Sequence, residues 1–216
     1  MITHHLSDDF LIEYANGALA TPESLVVGSH IAICAECRAR VETFEDVSAV
    51  LLEDGNTEAV SAGALDAVLS EIESPPDEPE PRIEFDRKTL ELIPPPLRSY
   101  LGDSLSALDW KRSGRGLEEV SLLREDDVRI SLLRIRAGQK VPSHTHGGDE
   151  LTLVLSGGYS DGDTHYGKGD VSLADGATDH APIADDDGPC LCLTVRRGAT
   201  RLTGPIGRFL NPMMRN

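Results

Sequence analysis

The sequence predicts an α+β chain: a small all-α helical unit, then an all-β unit of the small-barrel or jelly-roll kind. Three observations predict it. Helical periodicity with start signals runs through about residue 73, a proline-rich acidic stretch then breaks all periodicity, and short alternating strands punctuated by glycine follow. With 216 residues the chain is long enough for two small domains, and its composition is that of a folded protein.

Ser7 stands where a helix N-cap is expected, with Asp8 and Asp9 in the first turn and Phe10, Leu11 and Tyr14 at helical spacing up to Gly17. Thr21-Pro22-Glu23 is a second start, a cap followed by proline, and Leu25, Val26, Ser29 and Ile33 follow it. A third helix carries Val41, Phe44, Val47, Val50 and Leu51. A fourth begins near Ser61, where Leu65, Val68, Leu69 and Ile72 make an apolar stripe. Residues 74–88, opening with Ser74-Pro75-Pro76-Asp77-Glu78-Pro79-Glu80-Pro81, read as a semi-stiff acidic linker. Residues 89–203 form the β unit, with runs such as 128–132 and 151–155 between glycines, and 204–216 are a tail.

The formal net charge is −17, and between Met1 and Glu80 the only lysines or arginines are Arg38 and Arg40. Such a chain would approach nucleic acid or an anionic membrane against repulsion, so a basic protein partner is favoured over direct nucleic-acid binding. No apolar run nears the ~20 residues of a membrane span and the N-terminus lacks a signal-peptide pattern, so the expected location is cytoplasmic. Four cysteines in a reducing compartment are expected to be metal ligands or redox-active thiols rather than disulfides.

His30-x3-Cys34-x2-Cys37 supplies three donors that suit tetrahedral zinc. His30 and Cys34 project from one face at a helix end, and the two-residue gap lets two thiolates hold one ion. His5 or His4 supplies the fourth, and zinc would staple a helical unit with a modest core. Without the βαβ context of a thioredoxin-like motif, zinc is favoured over a redox-active Cys-x-x-Cys. Farther on, His144, His146 and Glu150 share even parity. If the segment is one strand they point to one side, and His180 returns from a distant strand to complete a site for zinc, manganese, iron or nickel. Cys190 and Cys192, two apart, also share a side, either acting together in redox chemistry or lying buried and inert. His165 and Trp110 are left as a surface and a core residue.

His30-x3-Cys34-x2-Cys37 preceded by a histidine resembles the zinc-binding anti-sigma domain. The opening Thr3-His4-His5-Leu6-Ser7 resembles that of ChrR-type anti-sigma factors, which carries the fourth zinc ligand onto His5. Gly138-x5-His144-x-His146-x3-Glu150-x6-Gly157 resembles the first cupin motif at every defining position. Gly169 and His180 fit the second, which departs at Asp175, Ala177 and Ala184, where proline, glycine and asparagine are usual. The resemblance covers nearly the whole chain, including Cys190-Leu191-Cys192. It implies a regulator and not an enzyme: the helical unit holds an extracytoplasmic-function-type sigma factor, and the cupin unit releases it on an oxidative signal such as singlet oxygen. It implies zinc in the first site and zinc or another divalent transition metal in the second. The competing reading is a cupin metalloenzyme, dioxygenase-like, with a helical appendage. The stripe on the fourth helix would contact the sigma factor or simply pack on the helical unit.

Overall fold

A computed structural model of the chain describes residues 1–73 and 83–204, so most of the expected linker and almost all of the expected tail lie outside the described residues. Helices α1 (Asp8–Ala15), α2 (Thr21–Ile33) and α3 (Ala35–Glu53) form the N-terminal unit. Ser7 is extended, as an N-cap should be, but its side chain makes no capping bond, leaving Asp8 and Asp9 to favour the helix start electrostatically. The cap of α2 is Ala20 rather than Thr21, with Pro22 in the first turn. Helix α2 is buried from Leu25 through His30, because it lies between the other helices and the β unit. At Cys34 the chain leaves helical geometry (φ −102°, ψ 103°), ending α2, and its Sγ accepts the Cys37 N–H to start α3. One residue thus turns the chain and aims both thiols inward.

Helix α4 (Ala64–Glu73) buries none of its residues, and Leu65, Val68, Leu69 and Ile72 are 46–73% exposed. The stripe therefore does not pack on the helical unit in this structure. Two short helices that the sequence pattern did not suggest follow: α5 (Arg87–Leu92), capped by Asp86 accepting the Thr89 N–H at 2.7 Å, and α6 (Pro95–Arg98). Helix α6 packs on α2, and Ile93, Leu97, Leu101 and Leu105 are buried there. The β unit's first strand begins only at Lys111.

The strands are β1 (Lys111–Gly114), β2 (Leu117–Glu125), β3 (Val128–Ile135), β4 (His144–Thr145), β5 (Glu150–Ser156), β6 (Gly158–Asp161), β7 (Thr164–Gly167), β8 (Val171–Ala174), β9 (Ile183–Ala184), β10 (Cys190–Arg197) and β11 (Arg201–Leu202). They form an antiparallel six-stranded sheet in the order β1-β2-β3-β10-β5-β8, a three-stranded sheet β7-β6-β9 and a pair β11-β4. This is the expected α+β fold, a small helical unit followed by an all-β unit.

Strand alternation divides the core. On β10, Leu191, Leu193 and Val195 join Leu151, Leu153 and Leu155 of β5 in one apolar cluster with Leu11, Val26 and Val27 of the helices. Cys190 and Cys192 face the other way, with Ile135, Val154 and Tyr159 inside the β unit. Being buried on both faces, β10 reads as a continuous apolar run and not as alternation.

Candidate metal centres

The first centre forms where the α2–α3 turn meets the N-terminal segment. One donor atom each from His5, His30, Cys34 and Cys37 lies within 4.8 Å of the others. His5 Nδ1 is 3.3 Å from Cys34 Sγ and 3.5 Å from Cys37 Sγ. Tetrahedral bonds of the length zinc makes to nitrogen and sulfur put ligand atoms about 3.3–3.8 Å apart, so the spacing fits a small tetrahedral ion. Two further observations fit the same donor set. His30 Nε2 is buried with no hydrogen-bond partner, and burial holds this imidazole neutral, lowering its pKa to about 4 despite the Gly169 carbonyl that opposes the shift. Burial and the neighbouring Cys34 push the Cys37 thiol up to about 11. A cation held by this donor set would make thiolates stable there.

The β unit builds part of this centre. His30 Nδ1 lies 2.9 Å from the Gly169 carbonyl oxygen, which fixes the ring and leaves Nε2 pointing at the other donors. Asp170 accepts the backbone N–H groups of Thr3 (2.6 Å) and His4 (3.0 Å), and Val171 N–H donates to the His4 carbonyl (3.1 Å). The His4 ring is drawn to Tyr166 and Asp170, so His5 and not His4 faces the cysteines. Gly169 has φ +92°, and a Cβ there would lie 2.7 Å from the Ile2 side chain, so the residue must be glycine for this docking.

The second centre lies inside the β unit. His144, His146 and His180 bring one nitrogen each within 4.8 Å of the others. His146 Nε2 is 3.2 Å from His180 Nε2 and 2.9 Å from Glu150 Oε2. Cis ligands about 2.1 Å from one ion are about 3.0–3.4 Å apart, which matches. The expected single strand is not what brings them together: β4 ends at Thr145 and β5 starts at Glu150, with Gly147-Gly148 between. His180 instead bridges His144 through reciprocal backbone hydrogen bonds of 3.0 Å. The substituted second motif still turns, because Asp175 Oδ1 accepts the Ala177 N–H and the Thr178 hydroxyl.

Two carbonyl or carboxylate contacts orient these rings. His144 Nδ1 meets the Pro142 carbonyl at 2.7 Å, and His180 Nδ1 meets Asp161 Oδ2 at 3.0 Å, so both turn Nε2 inward. Sequence reasoning missed Asp161; its only signal was an acid on a short strand, with nothing in its spacing to tie it to His180. Burial alone would raise the Glu150 carboxyl, but the hydrogen bond with His146 and the nearby Arg196 hold it down at about 2, ionised and able to bind a cation. A cavity of about 460 Å³ opens beside the centre, lined among others by His144, Glu150, His180, Tyr159, Cys192 and Arg196. Cys190 Sγ and Cys192 Sγ are 3.5 Å apart and buried, on one side as expected, and the Cys190 contact and burial push the Cys192 thiol well up. His165 is an exposed partner of Asp185. Trp110 is half-buried, packed against the apolar cluster at its margin and covered by Arg134.

Fold and centres together define a two-part metal-site protein, a helical His/Cys module docked on a β unit with an inner histidine cluster. A family model described as the ChrR cupin-like domain matches residues 103–199. The chain is 35% identical over 214 residues to the anti-sigma-E factor ChrR of Cereibacter sphaeroides, covering 99% of each. It superposes on a chain in the crystal structure of Rhodobacter sphaeroides SigE in complex with the anti-sigma ChrR with a TM-score of 0.78 and 36% identity. That match covers 91% of this chain and 100% of the other. The chain belongs to the ChrR family of anti-sigma factors, which are regulators and not enzymes.

Proposed function

We propose that this chain sequesters an extracytoplasmic-function-type sigma factor through residues 1–73, held in shape by zinc at His5, His30, Cys34 and Cys37. Release follows an oxidative signal, singlet oxygen or a related oxidant, sensed by the cupin unit of residues 89–203 with zinc or another divalent metal at His144, His146, Glu150 and His180. The protein acts in the cytoplasm, on a protein partner, with no direct contact to nucleic acid or membrane. The related complex pairs ChrR with SigE. No helix among the described residues is long and apolar enough to cross a membrane.

The single observation that carries the coupling of sensing to release is the shared construction of the first centre. Its His30 ring rests on the Gly169 carbonyl, and its His5 follows a segment clamped by Asp170. Strand β10 extends the connection, since Cys192 faces the second centre's cavity while Leu191 and Leu193 lie in the apolar cluster shared with α2. A chemical change at the inner shell or at these thiols alters the docking of the helices, and with it the sigma-binding surface. The acidic helical unit suits a basic sigma factor. The exposed apolar residues Leu65, Val68, Leu69 and Ile72 of α4 offer it a contact stripe.

Co-expression with a sigma factor encoded beside this gene tests the reading. The two should co-purify, and the complex should dissociate on exposure to singlet oxygen. Absence of a complex while the first centre retains its zinc would refute sigma binding by this chain.

A further inference from the structure

Strands β1 and β2 join in a tight hairpin at Arg115-Gly116, and the Arg136 N–H donates to the Gly116 carbonyl at 2.8 Å, fixing the end of β3 against that hairpin. Between them lies a groove of about 520 Å³. Its walls carry Arg112, Arg115, Arg134 and Arg136, with Glu118 as the one carboxylate. Four of the chain's 20 lysines and arginines thus share one concavity in a molecule of net charge −17. Mutual repulsion among four guanidinium groups has a cost, and the long-range acidic field does not account for gathering them at one point.

The four arginines are held differently. Arg134 is fixed: its guanidinium meets Glu118 Oε2 at 2.7–2.8 Å and lies 4.2 Å from the centroid of the Trp110 ring. Arg112 Nε donates to the Gly114 carbonyl at 3.3 Å. The side chains of Arg115 and Arg136 make no hydrogen bond or ion pair among the described residues, although their backbones are anchored at the hairpin and the β3 end. Two unpaired guanidinium forks on an anchored backbone, beside a third that is already fixed, offer planar bidentate donors to an oxyanion. The excess of positive charge calls for more than one anionic group, and the volume lies in the range of small-molecule sites.

We propose that this groove binds a small molecule bearing two or more phosphate or carboxylate groups. The occupant would sit against the wall of the second metal centre's cavity, because Gly114 and Leu117 line both spaces. It would therefore be placed to modulate the cupin unit without entering it.

Trp110 is the only tryptophan and lies against Arg134, so its fluorescence reports on the groove. Metal-loaded full-length protein would be titrated with fructose 1,6-bisphosphate and, separately, with tricarballylate in ~150 mM salt, where weak surface attraction is screened. The expected result is a saturable change with one of them, at one equivalent by calorimetry, and binding at least ~10-fold weaker in the double variant Arg115→Gln/Arg136→Gln. The responding arm identifies phosphate or carboxylate chemistry. Arg124→Gln, on an exposed arginine outside the groove, should bind normally. If the double variant fails to fold, Arg136→Lys keeps the charge but loses the fork, and should still weaken binding several-fold. No saturable signal with either probe, or undiminished binding by the Arg115→Gln/Arg136→Gln and Arg136→Lys variants, would overturn the proposal. So would a response confined to a polyglutamate peptide, since that would make the groove a protein-docking surface.

Discussion

Asp170→Ala should loosen the helical unit from the cupin unit and weaken the first metal centre although Asp170 is not a ligand. The residue is 3% exposed and accepts the N–H groups of Thr3, His4 and Gly167 at 2.6, 3.0 and 2.9 Å, with the Thr3 hydroxyl at 3.3 Å. Removing the carboxylate strands three backbone donors. An unsatisfied buried donor costs about 1–3 kcal/mol, and water can reach the exposed Thr3 and half-exposed His4, so the net loss should be about 2–3 kcal/mol. Urea unfolding of the metal-loaded chain measures it. A chromogenic chelator should also draw metal from the His5/His30/Cys34/Cys37 centre about 10-fold faster, since His5 follows the freed segment. The pH dependence has a definite sign. Burial alone would raise the Asp170 carboxyl, but the three N–H donors outweigh it and hold it below the usual range. Its contribution is therefore full at neutral pH and is lost as pH falls through its folded-state value. The gap between wild type and variant should narrow below about pH 4. A loss under ~1 kcal/mol with unchanged metal release would refute the clamp.

Cys34→Ala or Cys37→Ala should remove one metal equivalent and sigma binding while the β unit keeps its fold, as judged by metal analysis, pull-down and near-UV circular dichroism. Asp161→Ala should lower metal affinity at the second centre by about 10–100-fold without touching the first, because it frees the His180 ring to rotate; competition with a chelator of known affinity reads this. Gly169→Val should displace Ile2 and strain a backbone at φ +92°, lowering the melting temperature and exposing the 1–6 segment to proteolysis. His30 should survive as a neutral donor to lower pH than a free histidine, since burial lowers its pKa to about 4, so metal loss on acidification should track thiolate protonation and not a transition near pH 6.5.

Part of this molecule was legible because its chemistry is local. His30, Cys34 and Cys37 sit across a single turn, so spacing alone brings them together. The periodicity of α1 to α4 and the glycine-bounded strands likewise report on neighbours in sequence. Helices α5 and α6 were missed because their signals are short: the Asp86-x-x-Thr89 cap and the prolines 94–96 adjoin a stretch that reads as linker. The parity expectation placed His144, His146 and Glu150 on one strand, but a Gly147-Gly148 bend separates two. The three histidines still converge, because His144 pairs with His180, and Glu150 reaches the set through His146 across the bend.

The sequence by itself determined the fold class, the local clusters His30/Cys34/Cys37 and His144/His146/Glu150, and the acidic character, all of which follow from residue type and short-range spacing. Only the tertiary structure decided which neighbour completes each set. His5 rather than His4 faces the cysteines because Asp170, far along the chain, fixes Thr3 and His4 by their backbones. Asp161 orients His180, and the stripe on α4 stays uncovered. Such contacts depend on how the helical unit docks on the sheet, a geometry that no local pattern encodes.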